Sequence, residues 1–147
     1  MPARSKARAV QLGKAKYEKL AAFRYHLRQF TSFSELAAQN AGLTPRQYQA
    51  LLAIKGFPNR EMITIGQLAE QLQIAHHSAV GLVDRSVEQK LIAREQGVED
   101  RRQVYIRLTK HGAEILDQLS AVHRTEIGRL GPRLGVLLKS LILGQSH

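Results

Sequence analysis

The sequence contains no cysteine, which removes disulfides, thiolate metal sites and thiol-based redox sensing from the readings open to it. Long apolar runs are missing too. The longest, Leu134 to Leu143, is about ten residues and is interrupted by Lys139, against roughly 20 for a bilayer-spanning helix. A soluble, cytoplasmic protein with no membrane partner is therefore expected. The start MPARSKARAVQLGKAK lacks the apolar segment of a secretory signal; residues 1–15 are expected to form a basic, flexible, solvated tail. No Gly-rich phosphate loop, nucleophile elbow or HExxH helix occurs. No catalytic residue and no cofactor is expected.

Acidic residues are scarce at one end. Residues 1–54 hold nine Lys/Arg against two acids, a net of +7, whereas residues 55–110 come to +2 and residues 111–147 to +1. The total of +10 favours a polyanionic partner, of which nucleic acid is the usual one. Charge alone does not locate the reading element, because the middle of the chain is nearly balanced.

Apolar residues at helical spacing (Leu20, Phe23, Leu27, Phe30, Ala37) predict a helix over residues 16–40, with Gly42 as its stop. Thr44-Pro45-Arg46-Gln47 is a capping box with proline at the first helical position. It starts a helix whose inner face is read as Tyr48, Leu51, Leu52 and the stem of Lys55. MIT is a short strand, and Thr64 caps IGQLAEQL. A helix over residues 76–90 buries Ala79, Leu82, Val83 and Val87. The period then changes from helical to alternating: LIARE and QVYIRLT are strands, the second with Val104, Ile106 and Leu108 inward, joined by the polar loop QGVEDRR. Thr109 caps a long helix, Gly131-Pro132 is expected to break it, and a last helix carries Leu134, Leu137, Leu138, Leu141 and Ile142.

Two short helices followed at once by a hairpin form a winged helix-turn-helix. The fold class is mainly α with a small β-hairpin wing (α+β). One domain is expected over residues 16–147, with the DNA reader at about 44–109. The flanking helices, about 16–41 and 110–143, are too apolar to stay solvated and are expected to pair with a second copy.

The stretch TIGQLAEQLQIAHHSAVGLVDRSVEQKLIAREQGVEDRRQVYIRLTKHGAEIL, Thr64 to Leu116, resembles the MarR family of bacterial transcriptional regulators. The specific parts are LVDR (Leu82–Arg85), EDRR (Glu99–Arg102) and LTKHG after the wing. The resemblance implies a homodimer that binds pseudo-palindromic double-stranded promoter DNA as a repressor and loosens its hold when a small-molecule effector binds. It also implies an effector region between the dimer helices and the reading lobe, where Phe23, His26, Phe30 and Tyr48 stand; the effector itself is not identified. Two positions depart from the family pattern. Ala75 stands where serine is common, and Val80-Gly81 where a polar or basic pair is common.

With Ala79, Leu82 and Val83 inward, positions 76, 77, 80, 81, 84 and 85 face outward on the recognition helix. His76, His77 and Ser78 at its start reach base edges or phosphate. Val80 offers a methyl contact to thymine, Gly81 admits the groove wall, and Arg85 completes the face. Thr64 and Gln67, at the preceding helix start, are expected on the DNA backbone. In the wing, the family pattern makes Asp100 the carboxylate that orients the loop and Arg102 the side chain inserted in a narrow minor groove. Arg101 is assigned to phosphate or to holding Asp84. A metal reading of the paired histidines fails on geometry, because adjacent helical side chains diverge by about 100°. Two rivals remain: a ligand-insensitive architectural DNA-binding protein, favoured by the charge of residues 1–54, and a helical partner-binding module, which would show no salt-dependent affinity for duplex DNA.

Overall fold

The computed structural model of the chain describes residues 12–144. Most of the expected tail lies outside that range, and its last two residues already belong to helix α1 (Lys14–Asn40). Gly42, at φ 81°, takes the chain out of the helix in a conformation that a Cβ disfavours. Helices α2 (Pro45–Lys55) and α3 (Ile65–Leu72) both start with reciprocal caps. The Thr44 hydroxyl accepts from the Gln47 N–H at 3.2 Å while the Gln47 side-chain oxygen accepts from the Thr44 N–H at 2.9 Å. Thr64 and Gln67 repeat the pattern at 3.1 and 2.9 Å. Two otherwise orphaned N–H groups are satisfied at each start.

Strand β1 (Met62–Thr64) precedes α3; α4 (His76–Glu88), β2 (Ile92–Gln96), β3 (Val104–Leu108) and α5 (Lys110–Leu143) follow. The expected hairpin gains β1 as a third strand, in the antiparallel order β1-β3-β2. Ile63 pairs with Ile106, and both are fully buried.

The chain divides into two compact units. One is Ser32–Thr125; the other is Met1–Thr31 with Glu126–His147. In the first, Leu51, Ile54, Leu68, Leu82, Val83, Leu91 and Ile92 form a closed core with Ile63 and Ile106. Each such side chain stabilises by about 1.5–3 kcal/mol relative to exposure. His123 joins this core as a satisfied polar group. Its Nδ1–H donates to the Leu119 carbonyl (2.7 Å), its Nε2 is hydrogen-bonded to the Ser34 hydroxyl (2.8 Å), and the ring stacks on Tyr48 at 4.5 Å. Thr109 ties the start of α5 to the turn that follows α4. Its hydroxyl donates to the Lys90 carbonyl at 2.6 Å and accepts from the Gly112 N–H at 3.0 Å. Gly112 is required there, because a Cβ would collide with the Leu91 carbonyl.

Burial and break expectations need correction at several positions. Leu52 is 46% exposed; the buried stripe of α2 runs instead through Gln47, Tyr48, Ala50, Leu51 and Ile54, and the Lys55 stem is exposed with it. Val104 is exposed because it sits at the loop end of β3, opposite Gln96. In α4 the fourth buried position is Ser86, while Val87 is half-buried; the Ser86 hydroxyl is satisfied internally by donating to the Leu82 carbonyl at 2.8 Å. Gly131-Pro132 does not break the chain, and α5 runs through it. Part of the clash that normally keeps the residue before proline out of the helix is with that residue's Cβ, which Gly131 lacks.

In the second unit, described over residues 12–31 and 126–144, Leu130 is the buried large apolar side chain. Tyr17, Tyr25, Ile127, Val136, Ile142 and Leu143 are each more than half exposed. Glu126 is held by Arg129 at 2.6 Å. No helix among the described residues is long and apolar enough to cross a membrane.

Candidate nucleic-acid interface

Helices α3 and α4 are joined by a three-residue turn. Gln73 adopts the left-handed conformation (φ 54°, ψ 47°), and its side-chain amide donates to the Glu70 carbonyl at 2.7 Å. The Ile74 N–H bonds the Ala69 carbonyl at 3.0 Å, which closes the end of α3 and redirects the chain into α4. With Ala79, Leu82, Val83 and Ser86 buried, the opposite face of α4 presents the exposed residues His76, His77, Asp84 and Arg85. Ser78, Val80 and Gly81 are half-buried beside them.

The start of α4 differs from those of α2 and α3. Ala75 occupies the cap position and supplies no side-chain acceptor, so the first-turn N–H groups are left facing outward with the positive end of the helix dipole. His76 and His77 flank that opening. Gly81 has a specific spatial role: a Cβ there would come within 3.3 Å of Arg85 Nη1. The Arg85 guanidinium thus lies back along the reading face, over the position where the side chain is missing.

In the wing, Asp100 organises its neighbour. One carboxylate oxygen accepts from the Arg102 backbone N–H at 3.0 Å and from Arg102 Nε at 3.3 Å. The Arg102 side chain is 92% exposed, so its terminal nitrogens project from the loop tip. Arg101 is exposed as well, and its carbonyl accepts from the Gln96 side chain at 2.8 Å. The loop closes through the Gly97 N–H on the Gln103 carbonyl at 2.8 Å.

A turn between two short helices, an outward second helix and a hairpin bearing exposed arginines make a winged helix-turn-helix. A model of the MarR family matches residues 41–103, the span that carries α2, α3, α4, β2 and the wing loop. The organic hydroperoxide resistance transcriptional regulator of Bacillus subtilis is 32% identical over 99 residues, covering 67% of this chain and 65% of that one. YkoM, an uncharacterized HTH-type transcriptional regulator of the same organism, is 27% identical over 136 residues, covering 85% and 86%. Among solved structures, AbsC, a MarR family regulator from Streptomyces coelicolor, superposes with a TM-score of 0.70 at 22% identity, over 84% of this chain and 83% of that one. An S. aureus MepR variant bound to an oligodeoxyribonucleotide superposes with a TM-score of 0.67 at 16% identity, over 86% and 96%.

The chain belongs to the MarR family. It is a DNA-binding transcription regulator with a winged helix-turn-helix, and the relatives named above are regulators and not enzymes.

Within this MarR-family regulator, the assignment of Arg101 to Asp84 is corrected. Asp84 is held by Arg94 of β2, a residue the motif reading passed over because it lies in a strand. The pair neutralises a carboxylate on the reading face and ties α4 to the wing. Arg107 similarly holds Glu95 across the hairpin at 2.7 Å. Thr64 and Gln67 are occupied with each other in the α3 cap; the Gln67 side-chain nitrogen makes no hydrogen bond among the described residues. Tyr48 is a core residue stacked on His123, while Phe23, His26 and Phe30 are half-buried in the other unit. Among the described residues, no group of three or more metal-ligating side chains converges.

Proposed function

We propose that this regulator is a homodimeric cytoplasmic repressor that reads a pseudo-palindromic operator and releases it when a small molecule binds. The observation that carries the reading is the pairing of two exposed elements on one unit. The uncapped start of α4 is flanked by His76 and His77, and Arg102 projects from a wing loop whose conformation Asp100 holds. In the complex, the α4 N–H groups and Ser78 take phosphate, His76 and His77 donate to base edges, Val80 and Gly81 lie against the groove, and Arg85 reaches base or phosphate. Arg102 enters the minor groove and Arg101 takes phosphate. The free Gln67 amide, positioned by Thr64, donates to the backbone.

The domain organisation follows: a reader at about 44–109, with helices of about 16–41 and 110–143 forming the dimer. The large apolar side chains left exposed in the second unit support that pairing, since such a surface on a monomer is a liability. The absence of cysteine means that a response to hydroperoxide through a thiol, whatever serves the organic hydroperoxide relative, is not available to these residues.

Binding selection on randomised duplexes tests the reading. The expected product is a symmetric motif with half-sites about one helical turn apart. The charge of residues 1–54 favours the architectural rival, which predicts binding with a steep salt dependence and no enriched motif. That result, or no duplex binding at all, overturns the proposal.

A further inference from the structure

The net charge is not carried by the unit that holds the reading elements. Ser32–Thr125 contains eleven Lys/Arg against ten acids, a net of +1, while Met1–Thr31 with Glu126–His147 contains eleven against two, a net of +9. The described part of that second unit, residues 12–31 and 126–144, holds eight of those cations and both acids. All eight cations are exposed. The reading unit neutralises itself: Lys55, Arg94, Arg102 and Arg107 each pair with a carboxylate of the same unit. In the second unit, Arg129 with Glu126 is the ion pair among the described residues, and Glu18 is the other acid. Seven of the eight cations are left without an ion pair among the described residues.

Much of this excess is ordered along α1. At about 100° per residue, Lys14, Tyr17, Arg24 and Arg28 fall within about 80° of one another around the helix, and all four are exposed. Leu20 and Leu27, each 40% exposed, lie on the flank of that face, so an apolar strip for a second copy runs beside the cationic one. From Lys14 to Arg28 the helix axis covers about 21 Å, a length over which a duplex presents about a dozen phosphates. A second copy does not neutralise such a face. Symmetric pairing brings like units together and doubles the excess, so the counter-charge comes from a different molecule. Duplex DNA is the polyanion that a DNA-binding regulator already brings close, and a second segment then meets the face at high effective concentration.

We propose that the cationic face of α1 is a further DNA-binding surface, which holds a second duplex segment by its phosphates, without regard to sequence, while the reader is on its operator. The proposal goes beyond operator reading, because it lets one regulator join two stretches of DNA.

The test uses the full chain and two duplexes bearing different fluorophores. One is a short duplex limited to the selected operator; the other is of unrelated sequence and about three helical turns long. With the operator duplex equimolar to the dimer, the unrelated duplex should bind without displacing it, with the weak affinity and steep salt dependence of phosphate contacts. Energy transfer between the fluorophores should report both on one protein. Lys14→Gln/Arg24→Gln/Arg28→Gln should weaken the second duplex at least tenfold and flatten its log–log salt slope by about 2.7, leaving operator affinity within twofold. Arg102→Ala should do the reverse. If the triple variant loses helix by circular dichroism or changes mass in light scattering, Arg24→Gln and Arg28→Gln take its place, each flattening the slope by about 0.9. Binding of the unrelated duplex only by displacement of the operator, or equal loss of both affinities in the variants, means a single DNA footprint and overturns the proposal. So does binding to phosphatidylglycerol vesicles with no capture of a second duplex. The unrelated duplex can be titrated without an operator, so a chain that selects no motif would sink the repressor reading and leave this surface to stand or fall by the variants.

Discussion

At the residue scale, His77 and Arg102 do different work, so their loss should read differently. Arg102 is exposed and held only through its backbone and Nε by Asp100, which leaves its terminal nitrogens for a groove of strong negative potential. Arg102→Ala should weaken binding by about 1–3 kcal/mol, most for operators with A·T-rich flanks. His77→Ala should relax preference at one position in each half-site, and selected motifs from the wild type and both variants check this. An unchanged motif for His77→Ala would make that histidine a solvated helix start. Gly81 offers a sharper separation of stability from function. An alanine inside a helix is worth up to about 1 kcal/mol over glycine, and the new Cβ meets only the mobile tip of Arg85 at 3.3 Å. Gly81→Ala should therefore raise Tm while lowering operator affinity several-fold, because Arg85 is pushed off its resting path. A variant that is more stable and binds equally well would show that Arg85 has no part in reading.

At the scale of the element, α5 is where local chemistry and pH meet. The Arg129 hydrogen bond holds the Glu126 carboxyl below the ordinary carboxylate range, against a smaller upward push from its partial burial. A folded-state value below the unfolded one means that the pair stabilises above about pH 4.3, where the unfolded carboxyl ionises, and that this stabilisation is lost as pH falls through the folded value. Thermal unfolding of Glu126→Gln should lie below wild type near neutrality and converge with it in acid; a gap independent of pH would mean that packing and not charge separates them. The same helix shows how far local signals carry. Thr109 and Gly112 mark its start by capping and close approach; the cap is legible in LTKHG, whereas the close approach depends on Leu91. Its passage through Pro132 was not legible, because Gly-Pro reads as a break unless the missing Cβ of Gly131 is weighed against the ring it would otherwise strike.

On the scale of the whole molecule, the exposed apolar side chains of the terminal helices predict association. Leu138 and Ile142 are 46% and 59% exposed on α5. Replacing both by glutamate places charges where a second copy is expected and removes little from the chain's own core. Light scattering should show a dimer for the wild type and a monomer for Leu138→Glu/Ile142→Glu, with circular dichroism reporting retained helix. Operator affinity should collapse with the dimer, since two half-sites are then read independently. A folded wild-type monomer at micromolar concentration would place the apolar surface in some other use.

The sequence by itself determined what depends on neighbours along the chain. The helix starts at Thr44, Thr64 and Thr109, the stop at Gly42, the period change at the hairpin and the polar wing loop all follow from capping chemistry, backbone preference or side-chain alternation over a few residues. The same local logic put His76, His77 and Arg85 on an outward face, because the burial of Ala79, Leu82 and Val83 leaves them nowhere else to go. Tertiary structure decided what depends on residues far apart in the chain. β1 joins the hairpin because Ile63 meets Ile106, a pairing that three residues of MIT do not announce. Ser86 joins a half-buried Val87 on the inner side of α4, its hydroxyl satisfied within its own helix, and Leu52 is left out because the strip of α2 that meets the core is offset by one position. Arg94 and not Arg101 neutralises Asp84, since β2 runs beside α4. Ion-pair partners and buried stripes are set by packing distance, and periodicity narrows that choice without making it.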